Sequence, residues 1–388
     1  MRSMHPVLKR GALYWDQELL PKACFAERFA RLRAMIAAHG DDAWLLYGDV
    51  ERYGHVAYVS NFLPRTRAAL ALVPRDGDPA ILVAVGPRDV PSAKTLTWIE
   101  DVRPFSNLGR ELPALIHERE LANGRLGLVG IEESLSLGEW NDIAVALPHA
   151  QWSMRSAAAM RLRQAKDRAE QAALRRSARA VGRALDLVPQ IVRPGMMARE
   201  LAAAVDRQLR MSAAEDVRIL IAAGERARSL RPADDCVLQH GDHILLYAAA
   251  EVQRYWAEGA RSFVLGHATA AQRALAARAA AALAAMRTAA VAGARVGDIH
   301  AAAERHLDDA ELRASARAYG YGHGIGLDPE EAPFIVPEGD ERLVEGASLA
   351  LRVIAHAAGQ GIALGQQVIV GPNGNEAFID APGLIECG

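Results

Sequence analysis

The chain has 388 residues, of which 51% are apolar and 24% are charged, with a formal net charge of -2. This composition is typical of a globular protein with a sizeable core, and the length favours two domains over one. The near-neutral charge and the lack of a long basic run exclude the electrostatic pattern of a nucleic-acid-binding protein, and no stretch is apolar enough to span a membrane.

The first half of the chain alternates helical and strand patterns. Residues 25–40 place apolar side chains at helical spacing and end on a glycine, which predicts a helix. Strands are predicted next in DAWLLYG, in the pair AALALVPRDGDPAILVAV with its turn at Asp76, Gly77 and Asp78, and in GRLGLVGIEESL. This alternation predicts a small α/β domain over residues 1–154.

A long amphipathic pattern joins this half to the next. From Arg155 to Val188 the sequence predicts one helix, or two nearly continuous helices, connecting the domains. Beyond it, helices alternate with strands such as HILLYAA, ASLALRVIAH and IALGQQVIVG, which predicts an α+β domain over residues 155–388. Residues 193–209 resemble residues 293–307, each a loop glycine followed by an alanine-rich helix. If this repeat is genuine, the domain consists of two helix-plus-strand units with a cleft between them.

The number and spacing of the cysteines indicate the redox state of the protein's cellular compartment. Cys24, Cys236 and Cys387 are widely spaced and odd in number, which disfavours a disulfide framework and favours a reducing environment. Residues 1–20 lack the apolar core of a signal peptide. Together these features predict a cytoplasmic protein.

The stretch GHGIGLDPEEAP, residues 322–333, places His323 among three glycines and is followed by Glu330 and Glu331 within the same stretch. A histidine in this setting is a metal ligand, an acid–base group, or a buried neutral imidazole bonded to the backbone. Flanking glycines permit unusual backbone angles and close approach of a substrate, which favours a functional role.

Other segments occur with this motif in a recognisable order: MRLRQAKDRAEQAA, RPGMMARELA, GDHILLYAAAEVQRYWAEGARSFVLG, then GHGIG, EGASLALRVIA and GIALGQQVIVGPNG. The order resembles the creatinase, prolidase and methionine aminopeptidase-like family, peptidase family M24, and the resemblance covers most of the chain. It implies an α/β N-terminal domain, a C-terminal domain with the pita-bread fold, and a hydrolase activity.

Metal-dependent members of that family hold paired divalent ions with two Asp, one His and two Glu. The resemblance places these five positions on Tyr247, Glu258, His323, Arg352 and Gly365. Only Glu258 and His323 could still bind a metal. Arg352 carries a permanent positive charge and no lone pair, so it would repel metal ions in a low-dielectric cleft. We therefore expect neither a metal nor another cofactor.

Catalytic roles are implied by the same positions. His323 is the candidate proton carrier, and Glu258 and Glu331 are the candidate carboxylates that hold a cationic or amide nitrogen of the substrate. Glu330 stands where relatives carry a histidine, and one of the two neighbouring glutamates is expected to be an exposed turn residue. Arg352 would hold an anionic group. Tyr247 and Glu330 complete this part of the predicted substrate site.

Three further arginines are candidates for substrate binding. Arg231 lies in the stretch where relatives place a substrate-side histidine. Arg65 and Arg67, in YVSNFLPRTRAAL, resemble a segment that reaches the partner's active site in creatinase-like dimers. The resemblance thus implies a homodimer and a carboxylate-binding role for one of them. The alternative for each is an exposed loop arginine.

Several functions remain open from the sequence. The first is a metal-independent hydrolase of a C–N bond outside peptides, or a lyase, acting on a small amide, guanidino or amino-acid-like molecule. The second is a non-catalytic protein that binds a peptide or a metabolite, and the third is a Xaa-Pro peptidase-like enzyme. Replacement of the metal ligands by Tyr, Glu and Arg, rather than by small apolar residues, favours an enzyme.

Overall fold

The structure is a computed structural model that describes residues 14–388. It contains two compact units, one ending at Arg163 and one beginning at Gln164. No helix in the described part of the chain combines the length and the apolar character that crossing a bilayer requires. Most of the segment in which a signal peptide was sought lies outside the described residues.

The first unit, with the helix that leaves it, is an α/β domain built on one sheet. Its helices are α1 (Lys22–Ala38), α2 (Gly54–Ser60), α3 (Val90–Lys94), α4 (Leu108–Glu118), α5 (Ile131–Ser134), α6 (Leu137–Ala146) and α7 (Ser156–Gln164). Its strands are β1 (Ala43–Asp49), β2 (Ala68–Pro74), β3 (Ala80–Val83), β4 (Asp101–Pro104), β5 (Arg125–Val129) and β6 (Gln151–Met154). They lie in the order β4-β3-β2-β1-β5-β6.

The elements predicted for this unit are confirmed, and β1 shows why its sequence is a continuous apolar run. Trp44 and Leu46 pack into one hydrophobic cluster, whereas Leu45 and Tyr47 pack into another on the opposite face. A strand covered on both faces does not need alternating polarity. β2 and β3 pair antiparallel across the predicted turn.

The connector is two helices rather than one. α7 ends at Gln164, and α8 (Arg168–Ile191) begins after Asp167. The Asp167 side chain accepts from the backbone N–H of Glu170, and the Glu170 side chain accepts from the backbone N–H of Asp167. This capping box starts a new helix where the apolar pattern alone continues. The units divide inside α7, after Arg163, whereas the sequence divides the domains after residue 154.

The second unit has the pita-bread arrangement. Its helices are α8, α9 (Ala198–Met211), α10 (Ala270–Ala289), α11 (Val296–Glu304) and α12 (Ala310–Tyr319). Its strands are β7 (Asp216–Ala223), β8 (His243–Val252), β9 (Tyr255–Leu265), β10 (Gly322–Gly324), β11 (Glu331–Phe334), β12 (Ser348–Ala357), β13 (Gln360–Gly371), β14 (Gly374–Ala377) and β15 (Leu384–Cys387). The main path is β11-β10-β12-β13-β9-β8-β7; β14 pairs with β13, and β15 with β9.

This strand order divides the unit into two similar halves. One half contains α8, α9 and β7 to β9, the other contains α10 to α12 and β10 to β13, and they meet where β9 lies beside β13. Equivalent single bridges tie the start of α9 (Met197 to Val237) and the start of α11 (Arg295 to Arg342) to the chain before the long strands. The similarity seen in the sequence therefore corresponds to a structural repeat.

Helices cover one face of this sheet. Every second residue of β8 packs against α8 and α9, namely Ile244, Leu246, Ala248, Ala250 and Val252. Every second residue of β12 packs against α10, α11 and α12, namely Leu349, Leu351, Val353, Ala355 and Ala357. Because side chains alternate along a strand, the intervening residues lie on the other face.

Candidate active site

Strand register places the five positions named above on the face opposite the helices. The pairs Tyr247–Ala260, Ala260–Gly365 and Gly365–Arg352 follow one row across the sheet, and the pairs Ala249–Glu258 and Ala350–His323 belong to the neighbouring row. Residues opposite each other share a face, and so do residues two apart in one strand. The fold therefore brings all five positions together.

Glu258 lies at the centre of the group. The Tyr247 hydroxyl donates a hydrogen bond of 2.7 Å to its Oε2, and the Arg352 Nη1 lies 3.4 Å from its Oε1. Burial, followed by the negative charge of Glu258, raises the pKa of the Tyr247 phenol well above its usual range. The phenol therefore stays protonated and serves as a donor to the carboxylate.

Arg352 joins the carboxylate to the histidine. Its Nη1 also lies 3.2 Å from Nε2 of His323, and its Nη2 donates to the carbonyl oxygen of Tyr319 at 3.2 Å. Its Nε is buried and has no hydrogen-bond partner among the described residues. The Nε–H of the guanidinium is thus left without a partner, beside the Nη1 and Nη2 groups that hold the site together.

These contacts define the protonation of His323. Its Nδ1 lies 2.9 Å from the carbonyl oxygen of Gly324, and a carbonyl oxygen only accepts. Nδ1 therefore carries the hydrogen, and the lone pair of Nε2 accepts from Arg352. The side chain of His323 is 2% exposed, so backbone and guanidinium fix this tautomer inside the protein.

Two glycines around His323 are required by close backbone packing. Gly322 has a φ of 147°, and a Cβ there would lie 2.1 Å from the carbonyl oxygen of Ala350 on the neighbouring strand. A Cβ on Gly324 would lie 2.4 Å from the carbonyl oxygen of Ala332. The glycines allow β10 to fit between β11 and β12, which positions His323 over the sheet.

Glu331 lies in a different environment from the one its sequence position implies. Its Oε2 lies 2.6 Å from Nζ of Lys166, and the two side chains are 1% and 2% exposed. The backbone N–H of Asp328 donates to its Oε1. A Cβ on Gly326 would lie 2.6 Å from that Nζ, so this glycine leaves room for the pair. These contacts hold the loop after His323, and the catalytic role of Glu331 stays a prediction.

Glu330 is the neighbouring carboxylate that reaches solvent. Its side chain is 61% exposed, and its Oε1 lies 4.0 Å from Nε2 of His323. Of the two glutamates, Glu330 is therefore the one placed to meet a substrate beside the histidine.

The three other predicted arginines are described by their own local surroundings. Arg231 is exposed, and its carbonyl oxygen accepts from the backbone N–H of Ile221 in β7. In the first unit, the Arg67 guanidinium donates to the carbonyl oxygen of Ser106 and pairs with Glu139. The buried Nε of Arg65 has no hydrogen-bond partner among the described residues. Their substrate-binding roles stay predictions.

Sequence reasoning missed Lys166 and Tyr319. The ion pair between Lys166 and Glu331 spans 165 residues, and the Tyr319 contact to Arg352 uses a backbone carbonyl. Neither contact leaves a local sequence pattern. The only clue was the lysine itself. Where a lysine is fully buried in a protein, it almost always has a charged partner.

The group does not fit a pair of metal ions. Among the described residues, no set of three or more His, Cys, Asp or Glu side chains is arranged to hold a metal. The two potential donors that occupy the ligand positions, Glu258 and His323, both contact the guanidinium of Arg352. A divalent ion there would have to displace a permanently charged group that supplies no lone pair.

Comparisons with known proteins agree with this architecture. The sequence profile of metallopeptidase family M24 matches residues 172–372, and that of the creatinase/prolidase N-terminal domain matches residues 28–165. No curated protein sequence matches the chain.

Solved structures show the same fold. An X-Pro aminopeptidase from Thermotoga maritima is 22% identical with a TM-score of 0.82, covering 92% of this chain and 99% of its own. A Xaa-Pro dipeptidase from Bacillus anthracis is 21% identical, with a TM-score of 0.81 and coverages of 93% and 99%. A prolidase from Pyrococcus horikoshii is 19% identical, with a TM-score of 0.80 and coverages of 92% and 98%.

Proposed function

The chain belongs to metallopeptidase family M24, and we therefore propose that it hydrolyses a C–N bond, in a small polar substrate and without a resident metal pair. Amide, guanidino and amino-acid-like compounds are the substrate classes. The observation that supports metal independence is the Arg352 guanidinium, which lies 3.4 Å from Glu258 and 3.2 Å from His323 at positions where metal-dependent relatives bind metal.

The geometry supports a reaction in which Arg352 changes partners. In an amide substrate, the oxygen of the C=O group accepts from the guanidinium, which releases Nε2 of His323. Nε2 then takes a proton from a water molecule, whose oxygen attacks the substrate carbon. As the C–N bond breaks, the same proton passes from His323 to the leaving nitrogen. Glu258, which accepts from the Tyr247 hydroxyl, holds the guanidinium during these steps.

Substitution of His323 tests this role. His323→Ala should leave the fold intact and lower turnover of a hydrolysed substrate by about 10²–10⁴-fold, the usual contribution of general acid–base catalysis. The substrate comes from a panel of amides, guanidino compounds and amino-acid derivatives, assayed with purified protein. His306→Ala, at an exposed position, is the matched control. A loss smaller than about tenfold would refute the proton-carrier role.

Metal independence has its own test. The purified protein should contain much less than one transition metal per chain, and a chelator should change neither its turnover nor its melting temperature. Arg352→Glu should not create metal-dependent peptidase activity, because Tyr247 and Gly365 still occupy two ligand positions. Elemental analysis that finds two metal ions per chain would overturn the proposal.

A Xaa-Pro peptidase-like activity is the second candidate, and the family membership with the shared fold supports it. Assays with Xaa-Pro dipeptides, with and without added Mn²⁺, separate the two candidates. Cleavage that requires the added metal would favour the peptidase and reject the metal-independent reaction.

A non-catalytic binding role is the third candidate. It is favoured by the closed set of contacts among Tyr247, Glu258, His323 and Arg352, in which Nε2 of the histidine is already engaged. Ligands that raise the melting temperature without being converted would support it.

We also propose a cytoplasmic location, because the three cysteines are free in the described chain.

A further inference from the structure

The chain after β7 crosses from one half of the second unit to the other. The backbone N–H of Gly361, in β13, donates to the carbonyl oxygen of Ala227 at 2.9 Å. The backbone N–H of Leu230 donates to the hydroxyl oxygen of Tyr319, the last residue of α12, at 3.1 Å. The loop tip, residues 227–230, is therefore fastened to the half of the sheet to which it does not belong.

The loop tip lies against the candidate active site. Leu230 packs into a cluster on the site face that contains Tyr247 and Ala260, which lie opposite each other in the row described above. Ala260 is 1% exposed. The carbonyl oxygen of Tyr319, whose hydroxyl holds the tip, accepts from Arg352. The tip thus covers this part of the site and shares a hydrogen-bonding residue with Arg352.

Gly361 makes the contact with Ala227 possible. A Cβ on this glycine would lie 2.3 Å from the carbonyl oxygen of Ala227 and 2.9 Å from Cδ1 of Leu245. Because a Cβ and a carbonyl oxygen cannot approach so closely, a side chain at this position would displace the tip. Glycine weakens the interior of a strand, and it often marks a place where another backbone comes close. The glycine in β13 is therefore part of the fastening of the tip.

The arm that leads to the tip can move without unpacking the sheet. Gly224 follows β7 with a φ of 58°, a conformation that glycine adopts at no steric cost. An open cleft of about 800 Å³ separates this arm from residues 234–237. The exposed ion pair between Arg226 and Asp234 crosses the cleft, and such pairs stabilise little. Beyond the tip, the carbonyl oxygen of Arg231 accepts from a backbone N–H of β7 at 2.8 Å, which ends the movable segment.

We propose that residues 224–230 are a gate over the candidate active site. Gly224 is its hinge, and the hydrogen bond of Arg231 marks its far end. In the structure the gate is closed by its contacts to Gly361 and Tyr319. A molecule larger than water reaches the row beneath the tip only after both contacts are released. The gate controls access for a substrate and for a bound ligand alike, so it goes beyond the proposed function and does not depend on it.

A thiol placed beneath the tip tests the gate. Ala260→Cys provides it, in a protein whose three native cysteines are replaced by alanine, and its rate of reaction with the reagent DTNB measures access. Tyr319→Phe removes the acceptor for Leu230 and keeps the carbonyl oxygen that holds Arg352. One neutral hydrogen bond corresponds to about fivefold in the open population, so labelling should become about fivefold faster. Gly361→Ala, which forces the tip away, should accelerate labelling at least about tenfold.

Hydrogen–deuterium exchange of the protein with its native cysteines is the second measurement. Peptides that cover the gate should exchange about fivefold faster in Tyr319→Phe, whereas peptides from β8 should not change. This measurement decides the question even if the cysteine variants do not fold.

Matched substitutions elsewhere in the unit are the controls. Tyr321→Phe removes a hydroxyl that contacts Glu304 on the helix side of the sheet. Gly182→Ala adds a Cβ in α8 that, among the described residues, meets nothing beyond its own helix within 4 Å. Both variants should label and exchange at the rates of the parent.

Other outcomes reject the gate. One is unchanged labelling in both Tyr319→Phe and Gly361→Ala, even if the gate peptides exchange faster, because the tip then moves without controlling access. Another is a thiol at Ala260→Cys that reacts as fast in the closed parent as one introduced at the exposed position by Arg228→Cys. Acceleration that the β8 peptides share also rejects it, because unfolding of the whole unit then exposes the thiol. Where only exchange is measurable, unchanged exchange of the gate peptides in Tyr319→Phe rejects it.

Discussion

Arg352 and Glu258 depend on each other at the residue scale. The side chain of Glu258 is 6% exposed, that of Arg352 is 18% exposed, and a carboxylate at this depth needs a compensating charge. We expect Arg352→Met to lower the free energy of unfolding by about 2 kcal/mol, because Tyr247 alone is left to hold the carboxylate. Urea denaturation at neutral pH measures the change.

Neutralising the partner should restore stability. The double variant Arg352→Met with Glu258→Gln should recover at least half of the loss, whereas Arg199→Met at the surface should change stability by less than about 0.5 kcal/mol. Equal destabilisation in the single and double variants would mean that the two side chains are not coupled.

Site residues were predictable to different extents. The alternating pattern of β8, β9 and β12, aligned by family motifs, was enough to bring Tyr247, Glu258 and Arg352 into one group with His323. The separate environments of Glu330 and Glu331 were not predictable. They depend on Lys166, whose contact is set by the fold of a loop far away in the sequence.

At the scale of elements, strand β8 begins with a buried histidine, His243. His243 is 6% exposed, neither ring nitrogen has a partner among the described residues, and burial lowers its pKa from 6.5 to about 4. As pH falls below 6.5, the unfolded chain takes up a proton that the folded chain does not accept until about pH 4. Stability is therefore lost as pH falls through this window, by about 2 kcal/mol at pH 5.

This pH dependence is measurable with one variant. His243→Leu should reduce the difference in unfolding free energy between pH 7.5 and pH 5 by about 2 kcal/mol relative to the parent. Urea denaturation at the two pH values gives the comparison. The same difference in both proteins would show that His243 does not contribute to the pH dependence of the unfolding free energy.

The long strands could be predicted from their sequence patterns, and the short strands could not. β1, β8 and β12 are apolar or alternating over seven or ten residues, which is enough to predict strands. β10 and β11 have three and four residues and contain two glycines and a proline. Their pairing depends on neighbouring strands, so no local sequence pattern predicts them.

At the scale of the whole molecule, the order of motifs predicted the fold. The repeat of helices and strands and the family profiles agree with the expected α/β unit followed by a pita-bread unit. What the order could not predict is the closure of the central group by contacts between side chains. Those contacts join Arg352 to Glu258 and His323, which lie 94 and 29 positions away in the sequence.

We also propose that the protein is a homodimer. The motive is the resemblance of residues 55–70 to the segment that approaches the partner in creatinase-like relatives. Light scattering at micromolar concentration should give twice the mass of one chain, 41.8 kDa. A mass of one chain would contradict the dimer and remove the motive for placing Arg65 or Arg67 at a substrate.

The positive charge of Arg352 is attached to the chain by covalent bonds. A bound ion has a dissociation constant, so its occupancy changes with supply, competing chelators and dilution. A guanidinium on strand β12 has none of these dependences, and every folded copy carries it. In the proposed metal-independent reaction, the centre of this sheet is therefore complete as soon as translation and folding are complete, without delivery or exchange of a cation.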